Sequence, residues 1–221
     1  MTEEMNEAPF KAVDMSQFKR TYLDIPYADA HEREKLDLVL PDEGEGPFPV
    51  VVAVHGGAWK LRFKRADNIA GLFQAASQGY AVASVGYRLS SHAKWPAQVN
   101  DVKAAIRYLR NHAEEYHLDP TCVIVCGNSS GGHIAQTVAA TNDDIDFEDC
   151  LLGDCGDSSV QGCFSMYGVS DIYVCEHQTG HRDDGDNPMS PPDQLMGFCI
   201  VAEPEERCEM ASSVKAIKRR P

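Results

Sequence analysis

The sequence lacks any long apolar run: its longest strongly apolar stretch, Val50 to Val54, falls far short of the ~18 residues a membrane-crossing helix needs. No helical membrane span is expected. A secretory leader is lacking too, because the opening MTEEMNEAPF carries acids where a signal peptide carries bases. A cytoplasmic location is the expectation. Positive charge is scarce, with 20 Lys and Arg against 34 Asp and Glu and a net charge of −14. Such a chain repels phosphate backbones and anionic headgroups, so neither nucleic acid nor a membrane surface is an expected partner. The eight cysteines lack the paired CxxC spacing of a zinc site. Asp183, Asp184 and Asp186 lack the spacing and the last-position glutamate of a calcium loop. No metal and no cofactor are expected, and the thiols are expected to be reduced. Oligomeric state is not legible.

What is present is an alternation of short apolar runs with helical stripes. "YLDIPYA" from Tyr22 and "KLDLVLP" from Lys35 alternate with period two, as half-exposed antiparallel strands do. "FPVVVAV", "YAVASVGYRL", "CVIVCG" and "VQGCFSMYG" are continuous instead, the pattern of strands covered on both faces. Between them, Ile69, Leu72, Phe73 and Ala76 form one helical stripe that stops at Gly79. Val99, Val102, Ile106 and Leu109 form another after Trp95-Pro96. "HIAQTVAA" completes a third helix. Strands and helices in this order predict an α/β fold: a mostly parallel sheet with helices on both faces and an antiparallel N-terminal edge. Residues 1–19 read as a tail and 20–221 as one domain. Asn142 to Ser159 and His177 to Pro192, rich in Asp and Gly, read as surface loops.

Two motifs carry chemistry. Gly127-Asn128-Ser129-Ser130-Gly131 matches G-x-S-x-G where a buried strand meets a helix. Small neighbours permit the tight turn that lifts a serine hydroxyl above a sheet, and the N–H of Ser130 at the helix start can face an oxyanion. His55-Gly56-Gly57-Ala58-Trp59 follows the Val50 to Val54 strand. Its two glycines let the main chain approach a bound carbonyl, so Gly56 and Gly57 are candidate oxyanion donors. His55 reads as a loop-orienting residue rather than a base.

"VVAVHGGAW", "VGYRLSSHAKWPAQVNDVKAAIRYL" and "VCGNSSGGHIA", in this order, resemble the α/β-hydrolase family. More narrowly they resemble its carboxylesterases with an HGG oxyanion motif, the group of hormone-sensitive-lipase-like and bacterial acetyl or feruloyl esterases. The resemblance implies an eight-stranded sheet, Ser129 as nucleophile, Gly56, Gly57 and Ser130 around the oxyanion, and a small carboxylic ester as substrate. It also implies a triad in the chain order serine, acid, histidine.

That order leaves the acid and base open. Val160 to Gly168 corresponds to the family's sixth strand, and "ASSVKAIKRRP" to the segment before the seventh, so the last two strands and both late catalytic residues are expected to be missing from a truncated chain. His133 lies one helical turn beyond Ser129 and should pack away from the elbow tip. Asp171 and His181 keep the required order and are the fallback acid and base, although loop roles fit them better. Rival readings are a binding module that keeps Ser129 without turnover, and a fragment that does not fold stably.

Overall fold

The computed structural model describes residues 11–142, 144–179 and 189–218. Its sheet contains β1 (Thr21–Pro26), β2 (Lys35–Val39), β3 (Phe48–Val54), β4 (Ala81–Val85), β5 (Leu118–Asn128) and β6 (Gly162–Met166). They lie in the order β1-β2-β4-β3-β5-β6. β1 pairs β2, and β2 pairs β4, antiparallel; β4, β3, β5 and β6 run parallel. The helices are α1 (Ala97–Asn111), α2 (Ser130–Ala140), α3 (Ile172–Thr179), α4 (Pro191–Met196) and α5 (Ser213–Lys218), with a 3-10 helix at Asp67–Gln78.

β-branched residues fill the central strand because both of its faces are covered. Val50, Val52 and Val54 pack in the larger core with Val99, Val102 and Ile106 of α1 and Ile134 and Val138 of α2. Ala53 turns to the opposite face, where Ile69, Phe73 and Ala76 of the 3-10 helix close a second core. Gly79 ends that helix at φ +89°, as its position in the sequence predicts. The expected layering, with helices on both faces and an antiparallel edge, is therefore present. No helix among the described residues is long and apolar enough to cross a membrane.

Four expectations change. "KLDLVLP" is not half-exposed: Asp37 is fully buried, because the guanidinium of Arg65 holds it with bonds of 2.7 and 2.8 Å. β6 is not a covered strand: Phe164 is 57% exposed and Cys163 is exposed, because β6 has only β5 beside it among the described residues. The acidic stretch from Asn142 to Ser159 is a loop, but one pinned from beneath. Buried Lys103 and Arg107 of α1 grip Glu148 at 2.8 and 2.6 Å, and Arg107 also donates to the carbonyls of Asp149, Leu152 and Asp154. Finally, His177 lies in the last turn of α3, which ends at Thr179, and Pro191 begins α4, so both ends of the expected His177 to Pro192 loop are helical. Its centre, with His181, Asp183, Asp184 and Asp186, lies outside the described residues.

Candidate active site

Parallel strands deliver their carboxyl ends to one rim of the sheet, and there the two motifs meet. β3 ends at Val54, in register with Gly127 of β5. The chain after β3 is the HGGAW loop, and the chain after β5 is Ser129.

Ser129 has φ 51° and ψ −122°, and it caps the N-terminus of α2. A non-glycine residue held there costs roughly 1–3 kcal/mol, which the surrounding packing must offset. The packing is tight. A Cβ on Gly127 would lie 2.3 Å from the carbonyl oxygen of Gly131, and one on Gly131 would lie 2.2 Å from that of Val54. The glycines of G-x-S-x-G are thus steric necessities: α2 starts against the end of β3, with no room for a methyl group. The N–H of Ser129 donates to Met166 O at 2.9 Å, tying the turn to β6.

Asn128, the residue before the serine, links three strand ends. Its Oδ1 accepts the N–H of Gly56 at 2.9 Å, and its Nδ2 donates to the Tyr167 hydroxyl at 3.2 Å. The Gly56 amide is committed to Asn128, so it is not free for a substrate. The amides of Gly57, Ala58 and Ser130 have no acceptor among the described residues. Ala58, beside the glycine pair, adds an unbonded amide to the same loop, and its side chain gives no sequence signal for it.

The loop holding these amides is bent sharply. Gly57 has φ +136°, and a Cβ there would sit 2.1 Å from Leu61 O. Ala58 and Trp59 follow at φ 52° and 57°, both left-handed. His55 at the loop's start is fully buried and stacked 4.3 Å from the Tyr87 ring. The Tyr87 hydroxyl donates to His55 O at 2.8 Å, and His55 Nδ1 lies 2.8 Å from Gly56 O. Burial pushes the His55 imidazole down to about 3. It is a structural part of the loop and not a base, as the sequence suggested.

Among the described residues, the other candidate partners form no hydrogen bond with the serine hydroxyl. Asp171 caps α3: its Oδ1 accepts from the N–H groups of Tyr173 and Val174 at 3.1 and 3.2 Å and from Ser212 Oγ at 3.1 Å. His177 turns back on its own helix, with Nδ1 2.9 Å from Tyr173 O. His133 points into the core, as expected, with Nδ1 3.1 Å from the indole nitrogen of Trp59 and Nε2 2.8 Å from Ala211 O. Among the described residues no histidine side chain hydrogen-bonds Ser129. Nor is there a group of three or more metal-ligating side chains.

Residues 36–221 match the model of one protein family, BD-FAE. The chain belongs to the BD-FAE family. It is 31% identical over 156 residues to esterase LipQ of Mycobacterium tuberculosis, a match covering 70% of this chain and 37% of LipQ. It is 35% identical over 98 residues to carboxylesterase NlhH of the same organism, covering 44% of this chain and 31% of NlhH. Among solved structures, a bifunctional GH43-CE protein of Bacteroides eggerthii superposes with a TM-score of 0.77 at 32% identity, covering 91% of this chain and 27% of that one. The architecture is that of an α/β-hydrolase, and these relatives are named as an esterase and a carboxylesterase. The chain spans 23% to 40% of the length of the curated relatives it matches.

Proposed function

We propose that the rim of the sheet is a serine esterase site in which Ser129 attacks a small carboxylic ester and carries the acyl group. The carrying observation is the positive-φ backbone of Ser129, locked between glycines that admit no Cβ, against a loop whose Gly57 and Ala58 amides are unpaired. Strain of this kind persists where function needs it. Attack by Oγ on the carbonyl carbon forms a tetrahedral intermediate. Its oxyanion is bound by the N–H groups of Gly57, Ala58 and Ser130, with the positive end of α2 behind Ser130. Collapse expels the alcohol, which takes up the proton removed from Oγ, and leaves an acyl-Ser129; water then attacks this ester through a second tetrahedral intermediate, whose oxyanion the same amides bind, releasing the acid and free Ser129. Each oxyanion donor contributes on the order of 10²–10³ in rate.

The proton on Oγ needs a base, and no described histidine supplies it. The base and its carboxylate partner would come from outside the described residues. Loss of the histidine in a comparable serine hydrolase costs on the order of 10⁶ in turnover, so a chain working without such a base would hydrolyse activated esters slowly. The experiment is hydrolysis of p-nitrophenyl acetate by the chain and by Ser129→Ala. The account expects turnover that disappears in the variant. Activity retained by Ser129→Ala would favour another nucleophile, and complete inertness of the native chain towards activated acyl donors would favour a binding module on the same fold.

A further inference from the structure

His133 lies one turn beyond Ser129 on α2 and is fully buried. Its N–H donates to Ser129 O at 3.0 Å in the first turn of the helix, but its ring bonds Trp59 and Ala211 and not the serine hydroxyl, so the chemistry proposed above does not use it. Yet three separate segments converge on its ring. Trp59, from the oxyanion loop, donates its indole N–H to Nδ1 at 3.1 Å. Trp95, after β4, stacks on the ring at 4.7 Å. Ala211, before α5, accepts from Nε2 at 2.8 Å. These partners require the neutral ring with its proton on Nε2, since one nitrogen accepts while the other donates. Burial keeps it neutral, holding the imidazole near 4.

The pairing with Trp59 matters because of where Trp59 stands. Ala58 and Trp59 both have left-handed backbones, a conformation non-glycine residues leave unless their neighbours hold them. The Trp59 backbone is held by Ser90, whose N–H donates to Trp59 O at 2.8 Å. Its side chain is 4% exposed and has its hydrogen bond to His133. Since His133 and Ser129 share one helix end, this bond references the loop amides to the same rigid element that carries the nucleophile.

We propose that His133 is the positioning residue of the oxyanion loop: through Trp59 it holds the Gly57 and Ala58 amides in place relative to Ser129. This rests on the esterase reading given above. A hydrophobe at 133 would fill the space but could not accept the indole proton. Glutamine could accept at one end and donate at the other. The design is thus specific to polarity rather than volume.

The test compares His133→Leu, His133→Gln and Trp59→Phe with the native chain. The variants are first matched for a cooperative thermal transition, and Trp59→Phe, which keeps an aromatic ring, covers failure of His133→Leu to fold. The first readout is the rate of covalent labelling by a fluorophosphonate as a function of probe concentration. The expected result is at least a roughly 10-fold lower maximal rate in His133→Leu and Trp59→Phe, as for a displaced oxyanion donor. The half-saturating concentration should be unchanged, with most of the rate restored in His133→Gln. Equal rates in all four proteins, a change in half-saturation alone, or glutamine as poor as leucine would overturn the proposal. The second readout is amide hydrogen exchange at Lys60, Leu61 and Ser90, whose N–H groups donate to Gly57 O, Gly57 O and Trp59 O, and which does not depend on Ser129 chemistry. It should accelerate in His133→Leu and Trp59→Phe while β5 stays protected; unchanged exchange would also overturn the proposal. Labelling that survives Ser129→Ala would instead sink the esterase reading, leaving the exchange result to decide whether His133 holds the loop.

Discussion

Replacing Gly131 by alanine adds one methyl group where the elbow meets β3. An ideal Cβ there would lie 2.2 Å from Val54 O, 2.5 Å from His55 O and 2.7 Å from His55 C. All three are main-chain atoms, so no side chain can rotate away. α2 must move outward by about 1 Å to restore ordinary contact, and overpacking of this kind costs typically about 1–3 kcal/mol. Helix propensity works the other way, since alanine is favoured over glycine in a helix by roughly 1 kcal/mol. Steric conflict with backbone should win, for a net loss of about 2 kcal/mol. Gly71 is the internal control: it also lies in a helix, but nothing stands within 4 Å of its missing Cβ. Gly71→Ala should stabilise by about 0.5–1 kcal/mol. Urea unfolding followed by circular dichroism measures both, with equal m-values required for the comparison. If Gly131→Ala were as stable as the native chain, or Gly71→Ala were the more damaging, the packing argument for the elbow would be wrong.

Three further outcomes follow from other contacts. His55 and His133 have imidazoles pushed by burial from 6.5 to about 3 and about 4. The unfolded chain therefore binds more protons than the folded one below pH 6.5, and stability must fall as the pH falls through that window. Each histidine loses about 2 kcal/mol by pH 5, and the His133 share levels off below its folded value. In His133→Gln that share should vanish from stability measured against pH, and an unchanged profile would refute it. Arg65→Met strips the guanidinium from fully buried Asp37 and should cost about 3 kcal/mol, at the low end for a broken buried pair, because Lys64 Nζ remains 3.5 Å away. The double variant Arg65→Met with Asp37→Leu should regain most of this in the same unfolding assay. Asp171→Ala should lose about 0.5–2 kcal/mol as a missing helix cap, with the labelling rate at Ser129 unchanged. A large drop in labelling would revive Asp171 as the acid.

Features set by neighbours in the chain were legible in the sequence. Continuous β-branched runs announced the covered strands, and the glycine and serine spacing announced the elbow, because each depends on residues a few positions apart. Features set by distant partners were not legible. The commitment of the Gly56 amide depends on Asn128, 72 positions away, so adjacency in HGG could not reveal which amide is free. The burial of Asp37 depends on Arg65, 28 positions away, and alternation alone marked Asp37 as solvent-facing. The composition of β6 matches a covered strand, but its exposure is decided by which strands lie beside it. His133 was expected in the core, but its link to Trp59 spans 74 positions and leaves no local pattern.

The central claim is that Ser129 is the nucleophile. Incubation of the full chain with a fluorophosphonate, followed by digestion and mass mapping, tests it directly. The account predicts one adduct, on the peptide carrying Gly127 to Gly131, absent from Ser129→Ala and slowed in Gly131→Ala. An adduct on any other residue, or one that forms equally in Ser129→Ala, would contradict it.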